Sequence, residues 1–120
     1  MPRQQHSFPR TTRLSGKLAF AAVYAAKTKI SRYPLVIYSR PNDLNHPRLG
    51  LSVSRAVGIA VRRNRIKRLI REAFRLAQPH QHALDLIVVV RPHEPKPLAD
   101  YQRLLTESIS ASAAAWAKRT

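Results

Sequence analysis

Between Arg55 and Arg75 the chain reads RAVGIAVRRNRIKRLIREAFR, eight cations interrupted by one acid, Glu72. Arginine predominates, and its planar fork matches phosphate oxygens two at a time, so this run is suited to gripping a polyanion. The groups that could break a bond are scarce by contrast. The six acids, Asp43, Glu72, Asp85, Glu94, Asp100 and Glu107, are dispersed and offer no close pair to hold metal ions. His6, His46, His80, His82 and His93 fall in expected loops, and His80-x-His82 beside Pro79 lacks further ligands. There is no cysteine, no glycine-rich phosphate loop and no serine–histidine–acid order. The expectation is a chain with no catalytic and no metal-ligating residues of its own.

The charge balance points the same way. Twenty-two Lys and Arg against six Asp and Glu leave +16 over 120 residues. That repulsion is relieved by a polyanionic partner. A membrane is not the expected one, because the early apolar run Leu18 to Ala26 is only nine residues long. Arg3, Arg10, Arg13 and Lys17 before that run give it a faint likeness to a signal peptide. Lys27 and Lys29 follow at once, and a short helix with Phe20, Val23 and Tyr24 on one side explains it better. No cleavage is expected. The absence of cysteine suits a reducing compartment, and the cytoplasm is the expected location.

On a helix turning 100° per residue, Ile59, Ile66, Leu69, Ile70, Ala73 and Phe74 gather in one apolar sector. Asn64, Arg68, Arg71 and Arg75 gather opposite, with Arg65 and Lys67 at the edges. A merely solvated face mixes signs to gain i,i+4 pairs, whereas Arg63, Lys67, Arg71 and Arg75 stack like charges. Nucleic-acid binding is the reading that relieves them. Phe20 and Tyr24 lie four apart on one helix face, and Tyr38 sits in a strand on the same side as Val36. Rings beside cations can stack unpaired bases, although each ring alone reads first as ordinary core, and the spacing by itself is a weak signal.

These side chains need elements to hold them. Residues 1–12 read as an extended arm and 16–27 as a short helix. A short strand is expected near 28–31, then strands at Tyr33 to Arg40 and Leu49 to Val53. A helix follows over 57–77, and Leu84 to Val90 (LDLIVVV) reads as a central strand covered by helices. The last helix runs from Leu98 to about Lys118, with Tyr101, Leu104, Leu105, Ile109, Ser112 and Trp116 at steps of three and four. With neither repeat nor linker, residues 1–120 are expected to form one domain. Its class is an α/β (α+β) layered fold, a small mixed sheet of about four strands packed with three helices.

The stretch Arg48 to Ser54 (RLGLSVS), Val57-Gly58, and Ala60-Val61-x-Arg63-Asn64-Arg65-Ile66-Lys67-Arg68 closely resembles the protein component of bacterial ribonuclease P. Phe8-Pro9-Arg10, Arg13-Leu14 and Phe20-x-x-Val23-Tyr24 are similar to that family's start. The resemblance covers about Phe8 to Pro92, with a less specific final helix. It implies an α/β sandwich with a left-handed βαβ crossover. It also implies a protein subunit of an endoribonuclease whose RNA subunit is the catalyst, removing the 5′ leader of precursor tRNA with magnesium ions held mainly by the RNA. The implied partners are the ribonuclease P RNA and precursor tRNA, with no obligate protein partner. Carried over by position, Arg55, Arg63, Asn64, Arg65, Lys67, Arg68 and Arg71 would face the catalytic RNA. Phe20, Tyr24 and Tyr38 would line the cleft for the leader. Two positions depart from the pattern: Ile59 stands where the family often has Asn, and Ala56 where it often has a second basic residue. The alternative from composition alone is a non-enzymatic RNA-binding protein of the ribosome or its assembly.

Overall fold

The computed structural model describes residues 12–77 and 82–119. Most of the expected arm (1–11), with His6 and the Phe8-Pro9-Arg10 motif, lies outside the described residues, as do Pro79 and His80. The described elements are helix α1 (Lys17–Ala25), strands β1 (Thr28–Arg32), β2 (Leu35–Pro41) and β3 (Arg48–Val53), a 3-10 turn (Arg55–Val57), helix α2 (Ala60–Ala77), strand β4 (Leu84–Val90) and helix α3 (Leu98–Ala117). The sheet order is β1-β2-β4-β3. β4 pairs antiparallel with β2 and parallel with β3, so α2 is the connection between two parallel neighbours. Three helices on a four-stranded mixed sheet agree with the expected class.

The alternating pleat sends each strand's side chains to two faces. On one face Leu35, Ile37, Leu49, Leu86, Val88 and Val90 pack with Ile66, Ile70, Ala73 and Phe74 of α2 and Tyr101, Leu104, Leu105 and Ile109 of α3. This is the main core, and each fully buried Leu, Ile or Val contributes about 1.5–3 kcal/mol. The opposite face carries a smaller cluster, Leu14, Val23 and Ile87, under α1. β4 faces apolar neighbours on both sides, which is why its sequence is nearly continuous in apolar residues.

Several boundaries shift for physical reasons. β2 begins at Leu35 because Tyr33 and Pro34 form the two-residue turn of the β1–β2 hairpin, where proline's missing N–H costs nothing. α1 stops at Ala25, and Lys27 takes a left-handed φ of 59° that re-aims the chain into β1. α2 starts at Ala60 rather than 57, because Gly58 has φ 150° and breaks the helical path. Ile59 consequently never joins the apolar sector. It is 74% exposed, whereas Ile66, Ile70, Ala73 and Phe74 are buried as the spacing required.

One buried charge is built into the sheet. Arg48, Asp85 and Arg40 are cross-strand neighbours in one row. Arg48 donates to Asp85 through Nε (2.8 Å) and Nη2 (2.7 Å), and Asn42 Nδ2 adds a third bond at 2.9 Å. Burial works to raise the Asp85 carboxyl, but the bonds from Arg48 and Asn42 and the charges of Arg48 and Arg40 outweigh it and hold it below the usual carboxylate range. The loop after β4 is tied down through His93. Its Nδ1–H donates to the Arg91 carbonyl (2.8 Å), and its Nε2 lies 2.7 Å from the hydroxyl of buried Tyr101, which accepts from Lys96 N–H (3.1 Å). Among the described residues no helix is long and apolar enough to cross a membrane.

Candidate nucleic-acid interface

The second sheet face is where the aromatics meet. Lys29, Tyr38, Ile87 and Gly50 form one row across the four strands. α1 seats Val23 with Ile87 in the small cluster, brings Phe20 to Gly50 and brings Tyr24 to Tyr38. The ring occupies the space a side chain at Gly50 would need: a Cβ there would lie 2.6 Å from Phe20 Cζ and 2.8 Å from Cε1, so the ring would have to move. The glycine of the RLGLSVS strand therefore makes room for the Phe20 ring. The rings follow one another edge-on, Phe20 to Tyr24 at 6.4 Å and Tyr24 to Tyr38 at 4.8 Å between centroids. Tyr24 remains exposed while Phe20 and Tyr38 are half-buried. Beside this row runs Ser31–Val36–Val89–Ser52, small side chains that are half-buried or, for Ser31, exposed.

Cations flank both ends of the aromatic row. At the Phe20 end a depression of about 350 Å³ is lined by Arg13, Leu14, Ser15, Gly16, Leu49, Gly50, Leu51, Lys67 and Arg71. Arg13 and Leu14 are held there by backbone pairing, with Leu14 N–H donating to Leu49 O at 2.9 Å. Burial, and then the nearby charge of Arg13, lower the pKa of the Arg71 guanidinium. Three cations thus converge on a depression whose lining contains no acid. At the Tyr38 end Lys27 and Lys29 share an open depression of about 310 Å³ with Tyr24 and Tyr38.

α2 divides its charge among three directions. Lys67 and Arg71 face the aromatic side, as above. Asn64 and Arg68 are exposed on the outer face. Exposed Arg65 lies on the α3 flank, where its charge is felt by the Tyr101 hydroxyl. Arg63 is partly structural, its Nε donating to the Gly58 carbonyl at 3.0 Å, and Arg55 is exposed in the turn before the helix. No described acid lies within 4.0 Å of a charged nitrogen of Arg65, Lys67, Arg68 or Arg71, whereas Arg62 reaches Glu94 and Arg75 reaches Glu72. The structure therefore joins Lys67 and Arg71 to the aromatic row instead of leaving all seven basic-run residues on one face. Sequence reading missed Arg13, Lys27 and Lys29. The available signals were the Arg13-Leu14 pair and the cross-strand position of Lys29 beside Tyr38.

A family model described as Ribonuclease P matches residues 8–114. The chain belongs to the ribonuclease P protein family. A ribonuclease P protein component of Methylococcus capsulatus is 45% identical over 92 residues, covering 76% of this chain and 72% of that protein. One from Photorhabdus laumondii is 41% identical over 105 residues, covering 86% and 85%. Among solved structures, the Staphylococcus aureus RNase P protein superposes with a TM-score of 0.74 at 33% identity, over 84% of this chain and 94% of that one. A mutant of the Staphylococcus aureus protein, described as defective in mRNA degradation activity, gives 0.79 at 30% identity over 93% and 97%. Membership of the ribonuclease P family places the chain in tRNA processing, and the shared fold accounts for the layered arrangement described above.

Proposed function

We propose that this chain is the RNA-binding subunit of a ribonucleoprotein ribonuclease P in the cytoplasm, holding the catalytic RNA with α2 and the single-stranded 5′ leader of precursor tRNA on the open sheet face. The observation that carries the reading is the continuous run from the Arg13–Lys67–Arg71 depression along Phe20, Tyr24 and Tyr38 to Lys27 and Lys29. Alternating cations and rings suit an unpaired strand, with phosphates held at the ends and bases stacked between them. Stacking at roughly 1–3 kcal/mol per base tolerates any leader sequence, because every base has a π-face. Arg55, Arg63, Asn64, Arg65 and Arg68 are left for the RNA subunit. Lys67 and Arg71 stand at the junction of the two ligands.

In this reading the bond is broken on the RNA subunit, which also holds the magnesium ions. Five of the chain's six acids are placed poorly for a magnesium site. Glu72, Asp85, Glu94, Asp100 and Glu107 each lie against an arginine, and no group of three or more His, Asp or Glu able to hold a metal occurs among the described residues. The protein's contribution is affinity and charge screening between two polyanions.

The test is cleavage of a 5′-labelled precursor tRNA at low magnesium, with and without a bacterial ribonuclease P RNA. Restored correct cleavage only when both are present supports the reading. Cleavage by the protein alone overturns the assignment of catalysis to the RNA. No effect on that RNA, with tight binding to other structured RNA and co-sedimentation with ribosomes, moves the chain to ribosome assembly.

A further inference from the structure

The turn that opens α2 carries an apolar tip that the fold leaves uncovered. Ile59 is 74% exposed and Val61 73%, and Ala56 and Ala60 are exposed beside them. The two arginines that follow fold back onto Gly58, beside this tip. Arg62 lays its stem over Gly58, with Cδ 2.6 Å from where a Cβ would stand, and its Nη1 reaches Glu94 at 3.3 Å. Arg63 folds back to donate to the Gly58 carbonyl. The tip is uncharged, yet exposed Arg55 precedes it and exposed Asn64, Arg65 and Arg68 follow it.

We propose that Ile59 and Val61 form an apolar contact with RNA, seated against the ribose and base face of an unpaired nucleotide in the strand that the α2 cations hold. The inference rests on the RNA-binding reading above. Charge complementarity selects the occupant. A second copy of this +16 chain would bring like charges against Arg55, Arg65 and Arg68, whereas RNA brings phosphates for the cations and apolar base faces for the tip. The two parts of such an interface respond differently to salt. Cation–phosphate contacts release counterions and weaken as salt rises, while aliphatic burial is nearly indifferent to it.

Ile59 also occupies the helix cap position: its carbonyl accepts from Arg63 N–H at 3.0 Å, but its aliphatic side chain cannot accept from the first-turn amides. Asparagine can. Ile59→Asn should therefore raise or preserve the melting temperature while weakening RNA binding, opposite effects that a folding defect cannot produce.

The experiment measures binding of the full chain to a bacterial ribonuclease P RNA across a salt series. Ile59→Asn and Val61→Thr are each expected to weaken binding roughly three- to tenfold at every salt concentration with the salt slope unchanged, from the lost apolar burial. Arg68→Gln is expected to lower the slope by about one. Unchanged affinity in both tip variants overturns the proposal, and if Arg68→Gln still lowers the slope, the RNA reading survives. Failure of the parent chain to bind that RNA removes both. Parent self-association abolished by Ile59→Asn would assign the tip to a second copy and also overturn it.

Discussion

The two faces of one sheet are built from the same strands and come to different ends. The face toward α2 and α3 is covered by two long helices, and its rows close over Leu35, Ile37, Leu86, Val88 and Val90. Among the described residues the other is crossed by nine-residue α1, with Leu14 beside it, over Ile87 and Gly50, and it leaves Lys29 exposed and Tyr38 half-buried. Coverage sets the difference, because β4, apart from Asp85 at its start, is apolar toward both. The covered face stabilises the chain, and the half-covered face keeps rings and cations available.

The largest effect that would sharpen this contrast is on the covered face. Phe74→Ala should cost about 3–5 kcal/mol of stability, read as a lower urea midpoint, with RNA affinity per folded molecule little changed. Loss of affinity without loss of stability would erase the distinction between the faces.

The ion pair on the half-covered face should show in the pH dependence. The Asp85 carboxyl is held below its ordinary range, so its contribution is present at neutral pH and is lost as pH falls through that depressed value. Asp85→Asn should cost about 2 kcal/mol at pH 7, less than a fully buried pair because Arg48 is partly exposed, and should flatten the acid limb of stability against pH. An unchanged acid limb would show that other carboxylates control it.

On the aromatic row, Tyr24→Ala should weaken binding of precursor tRNA by about 1–3 kcal/mol per lost stacked base, with stability nearly unchanged. Mature tRNA should bind as before, and equal losses for both would remove the leader from this face. Phe20→Ala should show the same selectivity with an added stability cost, since its ring fills the space over Gly50. Gly50→Ala displaces that ring and should reproduce both effects.

The smallest effect returns to the covered face. Ser108 and Ser112 are buried on α3, and their hydroxyls have no partner among the described residues. Ser108→Ala should gain up to about 1 kcal/mol in denaturant unfolding. A loss would reveal a bond to a buried water.

Much of this was legible in advance. The 3.6-residue period placed Ile66, Ile70, Ala73 and Phe74 inward and Arg68 and Asn64 outward, and the punctuation by Pro34 and Gly58 explains where two boundaries moved. The RLGLSVS and RNRIKR motifs were sufficient to recognise the family. What was not legible involved contacts between distant parts of the chain. The Arg48–Asp85 pair spans 37 positions, and Arg13 joins Lys67 and Arg71 only because residues 13 and 14 pair beside β3.

Local periodicity by itself determined the element types and the basic face of α2, because each depends on neighbours within a turn or a pleat, and composition by itself raised the expectation of a polyanionic partner. Tertiary structure alone decided which sheet face stays partly open among the described residues, which cations join the aromatic row and that the Phe20 ring sits over Gly50. Those outcomes depend on which element covers which, and periodicity reports that a face is apolar without naming what packs against it.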